Sequence, residues 1–250
     1  DKAGIDAKAE MWKLPAMYVG KYAEKDAELT LALFKKLSVE IKAQDLTKVF
    51  DLETQLFPCL IDMKFKGVRV DVEAAHKLKQ QLASQEETLL LEVKKETGLE
   101  PQIWAARSIA KVFDKLNLSY VRTAKSKAPS FTKNFLQEHP HPIVNKIAKA
   151  REINKAHTTF IDTIIKYQHK GRIHADINPI RGDSGGTVTG RFSYSNPNLQ
   201  QIPARNKQLG PMIRSLFIPE NGHKWGCFDY SQQEPRLVVQ NLKEMKRLRR

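Results

Sequence analysis

The spacing of apolar residues changes at Gly171, and that change limits the chain to folds in which a helical body is joined to a sheet. Before Gly171, apolar side chains recur every three or four residues over long stretches; after it, Arg172-Ile-His-Ala-Asp-Ile-Asn178 alternates as a strand does. Gly182, Gly185, Gly186 and Gly190 come next, at a spacing unlike a phosphate-binding loop and with no Gly-Lys-Ser/Thr after them. Ile213–Ile218 and Lys224–Phe228 flank Pro219-Glu-Asn-Gly222, a hairpin signal. Trp225–Phe228 reads as a buried strand ended by Asp229. Two readings of that carboxylate stay open: a group with a chemical task at a strand end, or, with Ser231, the cap of the next helix. The expected class is α+β, with long helices followed by a partial antiparallel sheet.

The helical part divides at its own punctuation. Pro15 opens a helix carrying Val19, Leu31, Phe34, Leu37 and Ile41, on which Tyr22 and Asp26 are four apart and share a face. A hydroxyl and a carboxylate meeting there can hold a divalent metal and a water; a solvated surface helix is the plainer reading. A second helix runs from Phe50 to Phe65, with Pro58 as a kink or start. Gly67-Val-Arg-Val-Asp71 reads as a turn and short strand, and Asp71 as the cap of a helix over Glu73–Glu96 that Gly98 ends. That helix bears a narrow stripe of Ala75, Leu78, Leu82, Leu89, Leu90 and Val93. Ile103–Leu118 is a further helix, Arg122–Pro129 a mobile basic loop, and His139-Pro-His-Pro142 a turn and not a metal site. Ile143–Gln168 is a third long helix, broken at Asn154-Lys-Ala-His-Thr-Thr159 by a polar stretch. That stretch is either a bend whose hydroxyls and amines meet a nucleic-acid backbone or a solvated face.

Charge narrows the partner. Lys and Arg number 42 against 28 Asp and Glu, a net +14 over 250 residues, which favours a polyanion such as nucleic acid, although a ribosomal or membrane-surface protein would carry similar charge. No apolar run reaches the roughly 20 residues that cross a bilayer, and the N-terminus has no signal-peptide pattern, so a cytoplasmic protein without a membrane partner is expected. Cys59 and Cys227 read as two buried thiols. The chain opens on Asp1, not Met, and a piece of a longer protein is expected.

Three segments in fixed order carry a resemblance. Thr189-Gly-Arg-Phe-Ser193, Asn196-Pro-Asn-Leu-Gln-Gln-Ile-Pro203 and Asp229-Tyr-Ser-Gln-Gln-Glu-Pro-Arg236 resemble the palm signature of family A DNA polymerases, the group of bacterial DNA polymerase I and its phage relatives. Tyr22-Ala-Glu-Lys-Asp26 resembles the third motif of that family's 3′–5′ exonuclease, and Gly67-Val-Arg-Val-Asp71 with the long helices resembles its thumb. The resemblance implies an exonuclease remnant over 1–47, thumb and connecting helices over 48–170, the first part of the palm over 171–240 and an atypical basic tail over 241–250.

Roles are implied by the same resemblance. Asp229 is implied as catalytic and metal-binding, in a two-metal Mg²⁺ site, with Asp26 the metal ligand and Tyr22 its neighbour in the exonuclease motif. Tyr230, Ser231, Gln232 and Glu234 are implied on the nucleotide side, Glu234 as the gate against a 2′-hydroxyl. Arg191 is implied in the primer-end minor groove, where similar acceptors occur in every pair. Asn198, Gln200 and Gln201 are implied as DNA contacts; Asn154, Lys155, Thr158 and Thr159 are expected as further ones from the polar stretch itself. The family pattern has Asn where Gln201 stands and apolar residues where Gln233 and Pro235 stand. The implied partners are primer–template DNA and deoxynucleoside triphosphates. The family's fingers helix and second palm carboxylate have no counterpart here. The chain alone is therefore expected not to polymerise; a second polypeptide would supply those parts, or the chain is a duplex-binding fragment without chemistry.

Overall fold

The computed structural model describes residues 10–182 and 185–248. These form two compact units, residues 1–63 and 64–250. The first unit holds a pair of helices, α1 (Ala16–Ala43) and α2 (Thr47–Lys66), the last three residues of α2 counting with the second unit and Pro58 lying inside α2. Pro15, fixed at φ −59°, starts α1 as expected. The apolar sets of both helices lie open: Tyr18, Phe34 and Phe57 are exposed, and among the described residues of this unit only Leu60 is buried. An apolar stripe is covered only where another element lies on it, and helical spacing alone does not supply that element.

The second unit is organised on β1 (Val68–Arg69), α3 (Val72–Thr97) and, much later, α6 (Pro142–Lys155). The Asp71 carboxylate accepts from the Ala74 N–H at 2.8 Å, and Gly98, at φ +72°, closes the other end of α3 in the left-handed region. At the head of α6, Pro142 takes the first turn, and a ring nitrogen of His141 accepts from the Ile143 N–H at 3.2 Å. Two cores fix how α3 and α6 run. Leu78 and Leu82 pack with Ile153, Ile161 and Ile164, while Val93 packs with Ile143, Val144 and Ile147. The two helices are therefore antiparallel.

The second core centres on Phe113 from α4 (Ala106–Lys115), whose ring meets Phe131 at 4.8 Å and Tyr120 at 5.9 Å between centroids. This helix is shorter than the expected Ile103–Leu118, because a turn at 103–105 seats Ile103 in the core and leaves Trp104 exposed. The expected loop over 122–129 forms the tip of a hairpin, β2 (Val121–Arg122) against β3 (Pro129–Ser130). Its small polar residues satisfy one another: Thr123 N–H donates to Ala128 O at 2.9 Å, and the Thr123 and Ser126 hydroxyls are 2.7 Å apart. A short helix, α5 (Lys133–Glu138), leads to α6.

The third long helix is not continuous. After α6 comes a π-helical turn, Ala156–Ile161, and then α7 (Asp162–Tyr167). The chain continues through β4 (Gln168–His169), β5 (Arg172–Ile173) and β6 (Asp176–Asn178), so the single strand expected over 172–178 divides at His174–Ala175. The division lets its halves take different partners. β5 lies between β1 and β4, all antiparallel, whereas β6 pairs antiparallel with β7 (Ser193–Ser195). Gly67, at φ +62°, makes the corner into β1, where an added Cβ would stand 2.7 Å from the Ile173 carbonyl oxygen.

The expected hairpin over 213–228 is absent among the described residues. Its first arm begins inside a helix, α8 (Leu209–Arg214), after which 216–218 lies along β1: the Asp71 N–H donates to Leu216 O at 2.8 Å, and Phe217 bridges Val70. Its second arm, Trp225–Phe228, is neither buried nor a strand; Phe228 is 98% exposed. A strand needs a neighbour to take its backbone hydrogen bonds, and no described segment pairs with 225–228. Cys227, in that segment, and Cys59, on the open α2, are both exposed and not buried as expected. The chain then enters α9 (Gln233–Leu248). Long helices beside small antiparallel sheets make the class α+β.

Candidate nucleic-acid interface

The first and second palm-like segments are held by side-chain splints. The Asn178 amide donates to Ser193 O at 3.3 Å and to Ser195 Oγ at 3.1 Å, Ser193 Oγ accepts from the Gly186 N–H at 2.9 Å, and Thr187 Oγ1 donates to Arg191 O at 2.7 Å. Gln200 works both ends of its amide: Nε2 donates to Phe192 O at 3.0 Å and Oε1 accepts from Tyr194 N–H at 3.3 Å. Asn198 caps the 3₁₀ turn Leu199–Gln201, its Oδ1 accepting from Gln200 N–H at 3.1 Å. All four of Arg191, Asn198, Gln200 and Gln201 are exposed, but Asn198 and Gln200 are engaged in shaping the segment.

Arg191 reaches the third segment. Its guanidinium donates to the Glu234 carboxylate at the start of α9, so two residues 43 apart in sequence are joined by an exposed ion pair. The intervening Asp229, Tyr230 and Ser231 are exposed, and their side chains make no hydrogen bond or ion pair among the described residues. Ser231 therefore does not cap α9. Gln232 adopts φ +57°, and its carbonyl accepts from Arg236 N–H at 3.1 Å.

The π-helical turn divides its residues between two faces. Lys155, Thr158 and Thr159 point outward and are exposed. Asn154 and His157 turn toward Glu86 on α3: His157 Nε2 is 2.6 Å from Glu86 Oε2, and the Asn154 amide donates to both carboxylate oxygens at 3.0 and 3.1 Å. Asn154 Oδ1 in turn accepts from the Trp104 indole N–H at 2.7 Å. A carboxylate only accepts, so while Glu86 is ionised the hydrogen lies on His157 Nε2; His157 Nδ1 is buried without a partner. Neither reading of the 154–159 stretch holds for all of it, since half is solvated and half is an internal network. No motif singles out Glu86 or His157. The available signal was a charge at position 86, inside the apolar stripe between Leu82 and Val93.

Beneath the motif segments, the Lys64 ammonium donates to Asp176 at 2.5 Å and the Asn196 amide to its other oxygen at 2.9 Å; these bonds hold the Asp176 carboxyl below the usual range. Arg172 does the same for Glu220, which it meets at 2.8 Å. Tyr22 and Asp26 lie in the first unit, exposed on α1, and the neighbouring Lys25 pairs with Glu28 at 3.0 Å. Among the described residues no three His, Cys, Asp or Glu side chains gather as a metal cage, and no helix is long and apolar enough to cross a membrane.

A sequence profile described as DNA polymerase family A matches residues 72–248, well over half of the chain. The chain belongs to DNA polymerase family A. The matched span runs from α3 through α9 and takes in all three palm-like segments and most of the stretch 241–250. Among its relatives, a DNA-directed DNA polymerase of Pseudomonas phage M6 is 35% identical, over 94% of this chain and 37% of that protein. The thermostable DNA polymerase I of Thermus filiformis is 34% identical, over 91% of this chain and 28% of that protein. This family A chain therefore spans well under half the length of those polymerases. The solved POL domain of Pol1 from M. smegmatis, in complex with DNA primer-template and dNTP, has the same fold, with a TM-score of 0.58 at 23% identity, over 69% of this chain and 30% of that one. Polymerases of this family use divalent metals. Asp229 offers a single carboxylate, and no group of three His, Cys, Asp or Glu side chains gathers around it among the described residues.

Proposed function

We propose that this chain contributes the thumb and the first part of the palm to a family A DNA polymerase acting in DNA replication or repair, and that by itself it grips primer–template DNA without extending it. The match over residues 72–248 carries the reading. Within it, Arg191 and Gln201 face the primer–template junction beside Asn198 and Gln200, which shape that surface. Lys155, Thr158 and Thr159 meet phosphates from the outer face of the π-helical turn, and Asn154 orients the turn from within. Asp229 is the metal-binding carboxylate, and Tyr230, Ser231, Gln232 and Glu234 line the deoxynucleotide side. Residues 1–47, with Tyr22 and Asp26, are the end of an exonuclease domain, 48–170 the thumb and its connecting helices, 171–240 palm, and 241–250 a basic extension. The enzyme works in a bacterial or phage-infected cytoplasm, and a second polypeptide supplies the remaining carboxylate and the triphosphate grip.

Two supports stand beside the match. A net charge of +14 suits a polyanionic partner, and the ion pair between Arg191 and Glu234 draws the first and third palm-like segments to one place. The test is primer extension with Mg²⁺ and all four deoxynucleotides, with the chain alone and then with the polypeptide encoded next to it. Salt-sensitive binding alone, and extension only in the mixture that Asp229→Ala abolishes, is the expected result. Extension by the chain alone, or failure to bind primer–template at low salt, overturns it.

A further inference from the structure

Between α5, α6, the Trp104 turn and the segment ahead of α8 lies a cavity of about 510 Å³. That is the size of a site for one small ligand, far too small for a duplex. Its flat walls are Trp104, Phe131 and Phe160. Trp104 is 58% exposed but fixed in orientation: its N–H is tied to Asn154, and the Arg151 guanidinium lies 5.4 Å from its ring centre. Arg151 is itself anchored, Nη1 donating to Phe131 O at 2.8 Å. Burial pushes this guanidinium below its ordinary pKa, although an arginine stays charged.

The charge of the lining is one-sided. Its carboxylate, Glu152, is already engaged, by the Asn206 amide and by Lys149 at 3.3 Å. Lys133 and Lys155 also line the cavity, and neither has an ion pair among the described residues; the Lys155 ammonium rests 5.9 Å from the Phe160 ring. A pocket with aromatic walls and uncompensated cations selects a planar aromatic group carrying negative charge. An apolar ligand would leave the cations unpaired, and an inorganic anion would leave the rings uncovered.

We propose that this cavity binds a single unpaired nucleotide, its base against Trp104 and Phe160 and its phosphate on Lys133 and Lys155. The occupant is either a free mononucleotide or an unpaired nucleotide at the end of a bound strand; base and phosphate are common to both. The site shares Lys155 and Gln201 with the surface proposed for primer–template DNA and goes beyond that role in Trp104, Phe160 and Lys133, to which the role assigns nothing.

Trp104 is its own reporter once Trp12 and Trp225, both exposed, are changed to Phe. Titration of that chain with deoxyadenosine monophosphate is expected to quench its emission saturably, while ribose 5-phosphate, which has no base, leaves it unchanged. Lys133→Ala, on an exposed side chain, is expected to weaken the mononucleotide about fivefold with the circular dichroism spectrum unchanged. A parallel arm compares a blunt duplex with the same duplex bearing one unpaired nucleotide. Quenching by the mononucleotide identifies a free ligand, and quenching by the overhang alone identifies a strand end; either supports the site. Equal quenching by blunt duplex and overhang with none from the mononucleotide, equal quenching by ribose 5-phosphate, or indifference to Lys133→Ala overturns it. Failure of primer–template binding with mononucleotide quenching intact would sink the polymerase reading and leave this one standing.

Discussion

Replacing Glu86 by Leu should cost more than any surface substitution in this chain, and the cost can be reasoned from its three hydrogen bonds. The side chains of Glu86 and His157 are 14% and 10% exposed. Removing the carboxylate strands the His157 Nε2–H in the interior, where Nδ1 already has no partner, and also frees the Asn154 amide. A buried polar group left unsatisfied costs about 1–3 kcal/mol, and Asn154, only half-buried, turns partly to water, so the total is about 2–4 kcal/mol. At an m-value of about 2 kcal/mol per molar urea, the midpoint should fall by about 1–2 M. The emission of Trp104, bonded to Asn154, tracks this part of the molecule directly, with Trp12 and Trp225 changed to Phe. The double variant Glu86→Leu/His157→Leu should recover the share of the loss due to the stranded imidazole, leaving only the half-buried Asn154 amide to turn to water. A midpoint shift under about 0.3 M for Glu86→Leu, or a double variant as unstable as the two single losses added, would refute the reasoning.

Single contacts set the remaining expectations. Asp71→Ala removes the cap of α3 and should cost about 1 kcal/mol, read as a lowered urea midpoint. Phe113→Ala empties the middle of the aromatic core and should cost about 3–5 kcal/mol, with loss of near-ultraviolet dichroism. Asp176 has its folded pKa depressed, so its contribution is present above the unfolded value of about 4 and is lost as pH falls through the folded one. Asp176→Asn should therefore be less stable than the wild type at pH 7, by under about 1 kcal/mol, with the gap closing on acidification from about pH 4 downward. Glu234→Gln releases Arg191 and removes a negative charge beside it, and should tighten primer–template binding by up to about fivefold in fluorescence anisotropy at low salt.

The sequence revealed those elements whose signals are local. The cap at Asp71, the left-handed stop at Gly98, the turn into Pro142 and the periodic runs of α3 and α6 each need only neighbouring residues to be read, and each stands where expected. The segment 225–228 is different. Its apolar residues fit a buried strand, but strand formation depends on a partner that local pattern cannot supply, and no described segment does so. The same limit explains the open faces of α1 and α2 and the exposed Cys59 and Cys227.

The residues proposed for the site obey another rule again. Arg191, Asp229 and Glu234 are exposed, so no periodicity marks them; their order and spacing did, and the ion pair from Arg191 to Glu234 joins two of those segments in space. Glu86 and His157 escaped both kinds of signal, because they belong to no motif and a lone charge in an apolar stripe looks like noise until its partner is known. Yet their network orders the π-helical turn from the inside while Lys155, Thr158 and Thr159 stand on its outside. A π-helical turn carries one more residue per turn than the helix around it, which rotates the faces of α7 relative to those of α6 and needs an anchor to hold the register. The half-buried Glu86 carboxylate, bonded to Asn154 and His157 at once, ties the start of that stretch to α3 and supplies such an anchor.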